Sequence, residues 1–252
     1  MKNIPTPFAI PFAFPGIENV RCAFGTRFGG YSSSPFDLAN ISMEVGDDPA
    51  KVVANRQAMQ RELGFAHWQE LRQVHGVGMV FDPEPGDIAK GPIIEGDGLA
   101  SAMPGQALVI KSADCQPILL AHRSGKYVAA LHVGWRGNVQ GFPLLGTKAF
   151  CERYSLDPAD VLAVRGPSLG PSASEFSDFE REFGPDFKDH YDPATKTVNL
   201  WLLTRHQLRE AGLKPGNIFQ IDLCTNSLAD TFFSYRRREK TGRQASLIWI
   251  RG

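Results

Sequence analysis

Histidine and cysteine are scarce in this 252-residue chain, at six and four residues. Any metal or nucleophile site must be drawn from that short supply. The cysteines, Cys22, Cys115, Cys151 and Cys224, form no C-x-x-C pair. Their spacing matches neither a zinc knuckle nor a disulfide scaffold, so they read as reduced thiols of a cytoplasmic protein. Charge of either sign is not in surplus: Lys+Arg is 27, Asp+Glu is 27 and the net charge is +0. That balance disfavours nucleic acid as a partner, because neutralising phosphates needs a basic excess. It equally disfavours a polybasic membrane anchor. No run approaches the roughly 18–20 apolar residues of a membrane span. The apolar stretch from Phe8 to Ile17 is broken by Pro11 and Pro15, with no small-residue cleavage site after it, so no signal peptide is expected. There is no repeat and no low-complexity linker, which leaves a single domain over residues 1–252 as the expectation.

What is abundant is apolar sequence (42%) and turn formers, with 25 Gly and 18 Pro. Asp47-Asp48-Pro49 predicts a helix start, Val52, Val53, Met59 and Leu63 an apolar stripe, and Gly64 its end. A second helix is expected over Leu200–Ala211. Ala107–Lys111, Pro117–Ala121 and Tyr127–His132 read as buried strands with hairpin-like spacing. Val161–Val164, Ile218–Ile221 and Ala245–Ile250 read as further strands. Gly137–Tyr154 is helical at its far end, with the helix starting or kinking near Pro143. The mixture predicts an α+β, layered domain rather than a regular parallel alternation.

Three turns carry the chemistry: Gln73-Val74-His75-Gly76, Ser112-Ala113-Asp114-Cys115-Gln116-Pro117 and His132-Val133-Gly134-Trp135-Arg136-Gly137. Each sits at a strand end, where sites concentrate. Taken alone, a histidine beside glycine is more often a hydrogen-bonded turn residue, and a cysteine between apolar strands more often inert core. The gaps of 40 (115 − 75) and 17 (132 − 115) residues match no local zinc motif. Spacing alone therefore assigns no metal site.

Taken together, the segments resemble a known family. Thr26-Arg27-Phe28-Gly29-Gly30-Tyr31-Ser32, Asn40, Gly46-Asp47-Asp48-Pro49 and Asn55-Arg56 come first. Q-V-H-G at His75, A-D-C-x-P at Cys115 and H-x-G-W-R-G at His132 follow. Gly166-Pro167-Ser168-Leu169-Gly170-Pro171, Cys224-Thr225, Phe232-Phe233-Ser234-Tyr235-Arg236-Arg237 and Thr241-Gly242-Arg243 complete the series. This ordered set is similar to the laccase-domain, or multicopper polyphenol oxidase, family associated with purine nucleoside phosphorylase and adenosine deaminase activity. The resemblance implies a layered αβ sandwich related to cysteine-histidine deamidase toxins. It also implies a zinc site made by His75, Cys115 and His132, which would serve as the catalytic centre for a purine nucleoside and phosphate.

Two imidazoles and a thiolate leave a fourth position open, as in catalytic zinc sites. Hydroxide generated there would convert adenosine to inosine; phosphate attacking C1′ would release the purine. Arg27 with Gly29-Gly30, Arg56, Arg136 and Arg236 are candidate phosphate ligands. For any one of them the plain alternative is a salt bridge. Asp114 is a candidate acceptor for a metal-bound histidine, or equally for turn amides. Trp135 and the Phe232-Phe233 pair could stack on a purine, although core packing suits the phenylalanines better. Val133, Gln116 and the Gly96-Asp97-Gly98 segment depart from the family pattern, which has alanine and leucine at the first two positions. Gln116 thereby adds a polar group beside the site.

Copper is the alternative metal, since two histidines and a cysteine also describe a blue-copper site. The four remaining histidines, His67, His122, His190 and His206, show no H-x-H pairing for a second copper cluster. A metal-free Cys115–His132 dyad, as in a hydrolase or deamidase, is a further alternative. So is a partner-binding protein with a vestigial site. Nothing in the sequence decides the oligomeric state.

Overall fold

The computed structural model of the chain describes residues 6–252. Strands β1 (Ala9–Phe12) and β2 (Val20–Gly25) lead to helix α1 (Pro49–Leu63). After it come β3 (His67–Glu70), β4 (Met79–Phe81), β5 (Gly98–Ser101), β6 (Gln106–Ser112), β7 (Gln116–His122) and β8 (Val128–Val133). Helices α2 (Trp135–Val139) and α3 (Phe142–Tyr154) precede β9 (Val161–Arg165). The last third holds α4 (Phe179–Glu182), a small hairpin of β10 (Tyr191–Asp192) and β11 (Thr197–Val198), α5 (Leu200–Glu210), β12 (Ile218–Gln220) and β13 (Gln244–Ile250).

These elements build a layered α+β sandwich. One sheet has the order β1-β2-β13-β6-β3, the other β12-β9-β7-β8-β5-β4. Leu108 and Ile110 of β6 meet Leu119 of β7 and Val128 and Ala130 of β8 in the core between the sheets. The alternate residues Ala107 and Val109 face outward onto Trp68 and Met59 of α1. On the far side, Ile118, Leu120, Ala129 and Leu131 pack against Phe142 and Phe150 of α3 and Leu208 of α5. Strands covered on both faces read as unbroken apolar runs, which is how they stand out in the sequence.

Helix α1 starts and stops where its caps predict. The Asp48 side chain accepts from the Ala50 amide, and Gly64 closes the helix at φ 75°. Its buried face is less apolar than expected, because Asn55 and Arg56 accompany Val52, Ala58 and Met59. The Gly137–Tyr154 segment resolves into two helices. Gly141 breaks them at φ 71°, and Pro143 falls in the first turn of α3, where its missing N–H costs nothing.

The expected hairpin spacing holds for only one pair. β7 and β8 pair antiparallel, with Pro117 opposite His132. β6 and β7 belong to different sheets, so residues 113–115 carry the chain from one layer to the other. That crossing brings Cys115 to the edge of the sandwich beside the end of β8. Among the described residues, no helix is long and apolar enough to cross a membrane.

Candidate metal centre

The loop that carries His75 is folded around one carboxylate. Asp97, immediately before β5, accepts from the amides of His75 at 3.0 Å, Gly76 at 2.7 Å and Val74 at 3.3 Å. These bonds hold His75 in the left-handed region, at φ 61°. Gln73 anchors the same loop from the other side by donating to the Lys111 carbonyl and accepting from its amide, both at 2.8 Å. The sheet register brings Asp97 to the second histidine as well. β5 pairs with β8 with Gly98 opposite Leu131, and Asp97 Oδ1 lies 2.8 Å from His132 Nδ1. That bond leaves Nε2 of His132 as the free ring nitrogen.

His75 Nε2 stands 3.8 Å from Cys115 Sγ. The donor atoms of His75, Cys115 and His132 all lie within 4.8 Å of one another. Neighbouring ligands of a tetrahedral zinc are roughly 3.5 Å apart, so small side-chain rotations would close the set. Gly134 makes room for it. A Cβ there would stand 3.0 Å from His75 Cδ2 and 3.1 Å from Cys115 Sγ. The donor types, their convergence and the carboxylate behind His132 all fit a zinc or copper ion.

Electrostatics reinforce the grouping. Burial would raise the Cys115 thiol, but the charge and hydrogen bonds of His132 and His75 outweigh it and bring the pKa down to about 6. Burial would lower His132, but the Cys115 thiolate and Asp97 raise it to about 9. Between those limits the metal-free site is a thiolate–imidazolium pair. Iodoacetamide labelling of metal-free protein, mapped by peptide mass, is therefore expected to modify Cys115 at a rate that is already near its plateau at pH 7. The rate should fall only as pH drops through about 6, and added zinc should block the reaction. A Cys115 rate still climbing through pH 9 would show an ordinary thiol. Cys22 and Cys151, both buried with raised pKa values, serve as unreactive references.

The three donors open into a cavity of about 560 Å³. Its lining includes the polar residues Glu44, Lys111, Ser112 and Arg243 and the apolar residues Trp135, Leu169, Phe176 and Leu200. Arg136 and Arg236 complete the lining.

Comparison with known proteins places this arrangement. The family described as multi-copper polyphenol oxidoreductase laccase matches residues 21–251. The chain belongs to this family. A purine nucleoside phosphorylase of Pseudomonas aeruginosa is 35% identical over 94% of this chain and 96% of its own length. The Escherichia coli purine nucleoside phosphorylase YfiH is 33% identical, with the same coverage. Among solved structures, YlmD of Geobacillus stearothermophilus superposes with a TM-score of 0.86, at 29% identity, over 94% of both chains.

Within this family member the expected site residues divide. Trp135, Arg136 and Arg236 reach the cavity with His75, Cys115 and His132. Arg136 lies over the Trp135 ring at 4.3 Å, so one indole face is already taken. Arg27 and Arg56 are placed elsewhere, contrary to expectation. Arg27 pairs with Asp37 at 2.9 Å and donates to the carbonyls of Asp37 and Ala229. Arg56 is wholly buried, pairs with Glu70 and donates to the carbonyls of Ile41, Ile88 and Lys90. Both hold loops together, and neither lines the cavity of the three donors. Gly30 closes against Asn55 and the Leu38 carbonyl, so the expected glycine nest is filled by protein. Phe232 and Phe233 are fully buried core residues.

Of the two roles expected for Asp114, the structure shows an amide acceptor and not the histidine acceptor. Asp114 accepts from Thr225 Oγ1 at 2.7 Å and from the Arg236 amide at 2.6 Å, tying the cysteine turn to the C-terminal segment. The acceptor for the histidine is Asp97, which the sequence marks only as part of a segment departing from the family pattern. Arg243 was also missed as a site residue. Its Nη1 is fixed by the carbonyls of Thr241 and Gly242 at 3.0 Å, and no carboxylate pairs with it among the described residues.

Proposed function

We propose that the cavity performs phosphorolysis of purine nucleosides and deaminates adenosine in the same place, with His75, Cys115 and His132 holding a zinc ion. The observation that carries this reading is the convergence of three metal donors on a cavity that also presents arginines with no carboxylate partner among the described residues. When bound, zinc supplies Lewis acidity and a means of deprotonating water at neutral pH. Zinc is favoured over copper because the other histidines do not gather near this set. His190 and His206 bond each other at 3.0 Å, and His67 and His122 sit on β3 and at the end of β7.

The chain's own residues do the rest. Arg136, Arg236 and Arg243 bind the phosphate dianion with charge-assisted hydrogen bonds. The apolar wall of Trp135, Leu169, Phe176 and Leu200 takes the base and excludes water from it. Asp97 fixes His132 in orientation and tautomer. The four unpaired thiols and the core shared between the sheets support a single-domain cytoplasmic enzyme.

The test is release of free base from adenosine and inosine with and without phosphate, alongside metal content. Phosphate-dependent release by zinc-containing protein is expected, as is inosine formation from adenosine. No turnover of any nucleoside would overturn the reading. Arg243→Ala and Arg136→Ala are each expected to raise the KM for phosphate by about tenfold or more, with a smaller change in the KM for nucleoside. Equal changes in both would place these arginines outside the phosphate subsite.

A second reading rests on the thiolate–imidazolium pair, which could act as a metal-free hydrolase or deamidase dyad. Turnover that survives complete removal of metal would select it.

A further inference from the structure

Two buried cations share one buried anion beside the cavity. Arg56 and Lys111 each pair with Glu70, at 2.6 Å and 3.2 Å. A second carboxylate balances the charge, because Lys111 Nζ also donates to Glu44 Oε2. Lys111 and Glu44 both line the cavity, but only Glu44 is open to it, with its side chain 40% exposed against 4% for the lysine. The series Arg56–Glu70–Lys111–Glu44 therefore starts in the interior and ends in an accessible carboxylate. Lys111 holds one Glu44 oxygen. The other, Oε1, has no donor among the described residues.

The loop that presents this carboxylate is tied to a candidate phosphate ligand. The Glu44 amide donates to Ser42 Oγ at 3.2 Å. Asn40 Oδ1, in the same loop, accepts from the Arg243 amide at 2.9 Å, and the Ile41 amide donates to the Arg243 carbonyl at 3.2 Å. The charges of Cys115, Asp114 and Glu44 all bear on the Arg243 guanidinium. Arg243 is thus a neighbour of the metal donors and of Glu44 alike.

A carboxylate oxygen only accepts, so Oε1 must be met by a donor or a cation. Phosphate is repelled by its charge, and the base takes the apolar part of the lining. The sugar remains. Phosphate displaces the base from C1′ by entering the opposite face of the ribose, and that face carries the 2′- and 3′-hydroxyls. A hydroxyl acceptor must then adjoin the phosphate ligand, as Glu44 adjoins Arg243. We propose that Glu44 Oε1 accepts from a ribose hydroxyl and makes the cavity selective for ribonucleosides over deoxynucleosides. Lys111 fixes the carboxylate before the sugar arrives, which limits the ordering cost of binding. The inference rests on the nucleoside reading above.

The test measures kcat/KM with phosphate for adenosine, 2′-deoxyadenosine and 3′-deoxyadenosine, using wild-type protein, Glu44→Gln and Glu44→Ala. Calorimetric binding of the same nucleosides to metal-free protein gives a second readout. Glu44→Gln keeps an acceptor for Lys111 but replaces the second oxygen with an N–H₂ group. Wild-type protein is expected to favour adenosine over at least one deoxynucleoside by about tenfold or more, because a site built for a hydrogen bond rejects the analogue that lacks it. In both variants that ratio should collapse toward one, mainly through a loss for adenosine. Losses that are absent, or equal for all three nucleosides, would make Glu44 only a counterion for Lys111 and overturn the proposal. A wild-type protein that treats the three alike overturns it without any variant. If no nucleoside is turned over, the nucleoside reading falls with it; turnover without the preference overturns this inference alone.

Discussion

Cys115→Ala is expected to leave purification with little zinc and to lose phosphorolysis by more than about 100-fold. The bound comes from a weaker perturbation: losing a group that merely orients a ligand typically costs about 10–100-fold in metal affinity or activity. Removing the thiolate takes away a ligand itself, leaving two imidazoles to hold the ion. It also removes the negative charge that keeps His132 protonated above its ordinary range. The fold should survive. Cys115 sits partly exposed on the crossing between the sheets and belongs to none of the buried clusters. The change in unfolding free energy is therefore expected to stay within about 1 kcal/mol. His67→Ala, at an exposed position on β3, controls for nonspecific metal uptake. Zinc per chain by mass spectrometry and phosphate-dependent base release are the readouts. Full zinc content and full activity in Cys115→Ala would remove the cysteine from the site.

The fold was more legible in the sequence than its pairing. Buried strands such as β6, β7 and β8 announce themselves as apolar runs, but burial on both faces erases the period-two signal that would show which layer each face meets. The separation of β6 from β7 into two sheets was therefore invisible, although it is the step that brings Cys115 toward His75 and His132. The three donors were found through the family resemblance. Their separations along the chain carry no signature, because the sheet and not a local motif brings them together. The arginines show a different limit. Arg27 and Arg56 look like Arg136 and Arg243 in sequence, yet Asp37 and Glu70 neutralise the first pair and, among the described residues, no carboxylate pairs with the second. Partners chosen in space decide an arginine's role. The same holds for the carboxylate behind the metal. Asp114 adjoins Cys115 in the chain and faces away to Thr225, whereas Asp97, 35 residues before His132, adjoins it across the sheet.

That position makes Asp97→Asn the most damaging single-atom change available. The side chain is fully buried, and its two oxygens accept from His132 and from three amides of the His75 loop. An amide keeps one acceptor and turns an N–H₂ toward amides that also donate. At least one buried donor then loses its partner, at about 1–3 kcal/mol. The loop that holds His75 in its left-handed conformation loosens at the same time. Destabilisation of about 3 kcal/mol is expected, together with a 10–100-fold loss of zinc affinity. The pH dependence follows from the sign of the shift. Burial would raise Asp97, but the His132 interaction and the amides of Gly76 and His75 outweigh it and hold the carboxyl below its usual range. A carboxyl depressed in the folded state contributes stability that is fully present at neutral pH and lost as pH falls through the depressed value. Denaturant unfolding at pH 7 should thus separate wild type from Asp97→Asn widely, and the gap should narrow toward acid. A gap independent of pH, or zinc affinity unchanged in a folded variant, would show that Asp97 does not link the two histidines in the way its hydrogen bonds indicate.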